Sequence, residues 1–85
     1  MRRISEEEAW AAAGSDEPPL LAKAENDRTQ SAVALKRWPD GIVLGVSCDL
    51  DDRFELYKCA NEAEAWDAYL RHVERMDRTG RPFTD

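Results

Sequence analysis

Ala32-Val33-Ala34-Leu35-Lys36-Arg37-Trp38-Pro39-Asp40-Gly41-Ile42-Val43-Leu44-Gly45-Val46-Ser47-Cys48 is the stretch that decides the fold. Two runs rich in Val, Leu and other strand formers flank a tripeptide of turn formers, which is the pattern of a β-hairpin. Pro39 presets φ for the first corner of a type I turn, Asp40 suits the second, and Gly41 accepts positive φ. The reading is a three-residue loop, Pro39 to Gly41, closed by a glycine bulge. It sets Trp38 opposite Ile42, Lys36 opposite Leu44, Ala34 opposite Val46 and Ala32 opposite Cys48.

Downstream, Asp49 to Arg53 reads as a second turn and Phe54 to Cys59 as a further strand. A five-residue loop there puts Phe54 and Leu56 on the face of Val46 and Leu44, the pairing that burial favours. Asn61 then caps a long helix, with Glu64 at the capping-box position. Trp66, Tyr69, Leu70, Val73 and Met76 recur at helical spacing as one apolar stripe. Asp67 with Arg71 and Glu74 with Arg78 are spaced four apart in the favourable acid-first order. Gly80 ends the helix and Pro82 prevents its restart.

Upstream, Ser5 and Glu8 make another capping box for a short helix running to Ala13, with Ile4 and Ala9 placed as a hydrophobic staple and Gly14 as the stop. Ser15 to Pro19 reads as a loop. Leu20 to Glu25 has helical propensity, yet Pro18 and Pro19 before it and Asn26-Asp27-Arg28 after it favour an edge strand.

The fold class is therefore α+β. Residues 1–85 form a single small domain, a three- or four-stranded antiparallel meander flanked by an N-terminal and a C-terminal helix. The expected inner face holds Ala34, Trp38, Ile42, Leu44, Val46, Phe54 and Leu56 under the stripe of the second helix. Val33, Leu35, Val43 and Tyr57 then point to the other face, which is too apolar for a solvated one. Either the first helix covers that face through Trp10, or it is an interface.

A chain of 85 residues has a small core and little room for an enclosed catalytic cavity. Its formal net charge of −6 argues against direct binding of nucleic acid or of an anionic membrane surface. No apolar run approaches a membrane span, and Glu6, Glu7 and Glu8 interrupt what would be a signal peptide. The two cysteines, Cys48 and Cys59, accordingly read as reduced thiols in a cytoplasmic protein.

The motifs point to no cofactor and no metal. Cys48, Cys59 and His72 have no metal-ligand spacing, and Asp49 to Asp52 lacks the glycine and distal glutamate of an EF-hand loop. His72 falls on the polar side of its helix, where it reads as solvent-exposed. It has no positioned nucleophile and no orienting acid, so the chain reads as a non-enzyme. The capping boxes, hairpin and stripe are shared by many unrelated proteins and indicate no family.

What remains is charge. Residues 40–67 hold eight carboxylates against two cations. After helix-dipole and turn residues are set aside, Asp49, Asp51, Asp52, Glu55 and Asp67 are candidates for one partner-binding patch. The expected function is a small acidic binding protein that occludes a basic site on a partner protein. That includes inhibitors imitating nucleic-acid charge, such as anti-CRISPR, anti-restriction or toxin-immunity proteins. The alternative is a structural or assembly module that forms a homodimer through Val33, Leu35, Val43 and Tyr57.

Overall fold

The computed structural model describes residues 1–14 and 17–83. The chain order is β1 (Arg2–Ile4), α1 (Glu6–Ala13), β2 (Leu20–Asn26), β3 (Ser31–Trp38), β4 (Gly41–Cys48), β5 (Arg53–Cys59) and α2 (Glu62–Thr79). The strands make one five-stranded sheet in the order β1-β5-β4-β3-β2, antiparallel throughout. The α+β class and the antiparallel meander hold, and Leu20–Asn26 is an edge strand. The strand count rises to five because Arg2–Ile4 adds to the free side of β5. Three residues are too few to show a period of two. Of the expected loop from Ser15 to Pro19, Ser15 and Asp16 lie outside the described residues.

Both helix starts follow local chemistry. Ser5 Oγ accepts from the Glu8 N–H at 3.0 Å, and Asn61 Oδ1 accepts from the Glu64 N–H at 2.9 Å. Each bond satisfies one of the donors that a helix N-terminus leaves open. Gly80 ends α2 in the left-handed region, with φ 83.

The central register differs from expectation by one residue. Trp38 pairs with Gly41, so the loop is Pro39-Asp40 alone, and Leu35 faces Leu44 while Val33 faces Val46. The next turn is also one residue shorter: Cys48 pairs with Arg53, and Val46 faces Glu55. A slip of one residue moves every side chain of a strand to the opposite face. Val33 and Leu35, expected on the outer face, thus join Ile42, Leu44, Val46, Cys48 and Cys59 beneath α2. Ala34, Trp38, Phe54 and Leu56 turn to the second face. The four residues expected to share an outer interface do not share a face. Tyr57 lies on the α2 side with Val33 and Leu35, and only Val43 lies on the other, buried with α1.

The helix phase is displaced as well. α2 buries Ala65, Ala68, Tyr69, His72 and Met76. Leu70 is 60% exposed and Trp66 36%, its ring standing edge-on to Tyr69 at 5.8 Å. Small Ala65 and Ala68 occupy the contact line. His72, expected in solvent, is buried: its Nδ1 lies 2.6 Å from the Pro82 carbonyl and its ring stacks on Tyr57. On the second face α1 covers only part of the sheet. Ala9 and Ala13 pack with Ile4, Trp38 and Val43, while Trp10, expected as the cover, stays 54% exposed.

Candidate functional site

The half-covered second face is concave. Between α1, β2 and the sheet it forms a groove of about 690 Å³. Ala32 and Ala34 of β3 and Gly45 and Ser47 of β4 line its floor. Ala32 pairs with Ser47 and Ala34 with Gly45, so these four small residues sit side by side. Trp10, Leu20 and Phe54, all about half exposed, stand around the groove. Large apolar side chains left in water around a concave surface are a feature that binding surfaces share.

Two further features belong to the groove. Trp38 lines it with a buried ring, and its Nε1–H has no acceptor among the described residues. A buried donor without an acceptor costs about 1–3 kcal/mol. The lysines on the rim are answered by acids: Lys36 by Glu17 at 3.3 Å and Lys23 by Glu25 at 2.8 Å.

One end of the groove runs into acid. The turns β2–β3 and β4–β5 emerge at the same end of the sheet, and the Asp49 N–H donates to the Gln30 carbonyl at 2.9 Å, stitching them together. Asn26 Oδ1 accepts from the N–H groups of Arg28 and Thr29 and shapes the first turn. Gln30 (φ 54) closes the first turn and Asp52 (φ 49) the second, both in the left-handed conformation. Glu25, Asp27 and Asp49 line a second, smaller hollow here, which shares Ala32 and Ser47 with the groove.

The five sequence-predicted acids divide. Asp49, Asp51 and Asp52 stand on this tip, joined by Asp27, which sequence reasoning missed because the linking hydrogen bond is long-range. Arg81 donates to Asp51 at 2.8 Å and holds its carboxyl below the ordinary value. Asp27, Asp49 and Asp52 have no ion-pair partner among the described residues. Asp67 lies toward the other end of α2, paired with Arg71 at 2.7 Å.

Glu55 is buried on the α2 face of the sheet. It accepts from Tyr57 Oη at 2.5 Å and Arg53 Nε at 2.7 Å, with Arg3 at 3.6 Å. Burial pushes its carboxyl up, but those partners outweigh burial and hold it below the ordinary value. Burial, with the same bond added to it, raises the Tyr57 hydroxyl. Glu55 therefore acts inside the fold.

Among the described residues that line the groove there is no His and no Cys. Among the described residues no three His, Cys, Asp or Glu side chains are placed to hold a metal, and no helix is long and apolar enough to cross a membrane. Cys48 and Cys59 are buried free thiols at opposite ends of the β4–β5 pair, and burial raises the Cys59 thiol. Comparison with known proteins returns no matching family, no similar curated protein and no similar solved structure.

Proposed function

We propose that the protein is a non-enzymatic binding protein that takes an apolar, basic-ended segment of another protein into its groove and thereby occludes that segment. The observation that carries this reading is the continuity of the groove with the acidic tip, through the shared residues Ala32 and Ser47. The apolar part, with Trp10, Leu20 and Phe54 around it, supplies affinity by burial. The small floor leaves room for a partner's side chains. Asp27, Asp49 and Asp52, which have no ion-pair partner among the described residues, steer a basic partner and fix its direction in the groove. In this reading the acidic contact lies on the tip, with Asp27, Asp49 and Asp52, rather than on Glu55 or Asp67.

A peptide-display selection on the wild-type protein, counter-selected against Ala34→Trp, tests this. Ala34 is half-buried on the floor, and a tryptophan there fills the groove from a position that the core does not use. The selected peptides are expected to combine apolar residues with Lys or Arg at one end and to bind less well as salt rises. They should lose at least tenfold in affinity for Ala34→Trp. Peptides that bind both proteins equally, or that carry no basic residues, would overturn the reading.

A further inference from the structure

β2 is an edge strand, and the hydrogen bonding fixes which of its backbone groups face outward. The Arg37 N–H donates to the Pro19 carbonyl at 3.0 Å, so the backbone groups of Arg37 point toward β2. Alternation along an antiparallel strand then turns Leu35, Val33 and Ser31 the same way. Their partners Ala22, Ala24 and Asn26 return those bonds. Lys23 and Glu25 are left with N–H and C=O directed away from the sheet. Such an edge is a template for another strand.

The side chains of this edge are complementary to themselves. Lys23 and Glu25 lie on the groove side, and small Ala22 and Ala24 on the α2 side. A second copy added antiparallel about a two-fold axis at Ala24 would set each Lys23 opposite Glu25 of the other copy. Both pairs would be hydrogen-bonded ones, with four backbone bonds across the seam. The neighbouring registers that keep the hydrogen-bond phase are centred on Lys23 or on Glu25, and they oppose like charges. The bulge between Leu20 and Ala22 confines regular pairing to 22–26.

Exposed apolar groups accompany the edge. His72 stacks on Tyr57 of β5, so the opposite flank of α2, with Trp66, Leu70 and Val73, is turned toward the β2 side. Leu70 and Trp66 are the exposed large apolar residues of α2.

We propose that the protein forms a symmetric homodimer by antiparallel pairing of its β2 edges about Ala24, joining two five-stranded sheets into one through reciprocal Lys23–Glu25 pairs. This inference stands independently of the groove.

Sedimentation equilibrium over a range of concentrations tests it. Lys23 and Glu25 are about half exposed, so reversing either leaves the fold intact. Lys23→Glu alone and Glu25→Lys alone each oppose like charges twice across the seam, and each should weaken the dimer about tenfold or more. An equimolar mixture of the two variants restores both pairs as a heterodimer, and the double swap restores them within one chain. Dimerisation recovered in the mixture and in the double swap supports the proposal. A wild-type protein that is monomeric up to about 1 mM, single variants that dimerise like wild type, or a mixture that fails to recover would each overturn it.

Discussion

Met76 matters more to the core than Trp66, although composition favours the tryptophan. Met76 has no exposed surface, whereas Trp66 keeps 36% and Leu70 60% of theirs. Met76→Ala should therefore lose about 2–5 kcal/mol. Leu70→Ala in dilute protein should stay within about 1 kcal/mol. Urea midpoints of the two variants check this, and equal losses would mean that α2 presents a different face. His72 shows why such assignments resist sequence reading. Its burial depends on the return of Pro82 to its ring and on Tyr57 beneath it, and neither is encoded in the periodicity of the helix. The apolar spacing marks a stripe about two residues wide. Which edge of that stripe touches the sheet is decided by Ala65 and Ala68, whose small side chains allow close approach.

At the level of the elements, what is local was readable. Ser5 with Glu8 and Asn61 with Glu64 announce both helix starts, because a cap and its donor lie within one turn. Gly80 announces the end of α2 for the same reason. The β3–β4 hairpin was readable in its position but not in its register. Pro39, Asp40 and Gly41 are compatible with a loop of two residues or of three, and the faces of β3 depend on which is used. Gly41 keeps the positive φ expected of it, at 152, but not the expected bulge, since it pairs directly with Trp38. A Cβ there would meet only Lys58 Cε, at 3.6 Å, so the cost of substitution lies in the backbone rather than in a clash. Gly41→Val should thus destabilise the protein by about 1–3 kcal/mol, read as a lower thermal midpoint. Wild-type stability in that variant would mean that the turn relaxes to another geometry without cost.

The whole molecule responds to pH through buried and paired carboxyls. Glu55 is depressed in the folded protein, so its contribution is present above the unfolded carboxyl value of about 4.3 and is lost as pH falls through the lower folded value. Asp51, held by Arg81, and Asp40, held by Lys58, act in the same direction. Tyr57 is raised, so its contribution is present below its unfolded value of about 10 and is lost as pH climbs through the higher folded one. Cys59 is raised by burial in the same sense, and its contribution begins to go as pH climbs past the unfolded thiol value of about 8.5, so stability should show a plateau between about pH 5 and 8 with an acid limb below it. Glu55→Gln should shrink that limb, as read from urea midpoints at successive pH values, and an unchanged limb would remove Glu55 from its origin. The acids of the site divide by the same logic of partners. Composition locates an acidic window over 40–67, but the contact between Asp49 and Gln30 adds Asp27 to the tip, and the partners Arg53 and Tyr57 withdraw Glu55 from the surface. By itself the sequence determined the α+β class, the order of the main elements, their caps and the place of the central hairpin, since each rests on contacts within a few residues. The tertiary structure alone decided the register, the phase of α2, the fifth strand and the groove. Those follow from which faces bury the most apolar area against one another, a choice made between segments far apart in the chain.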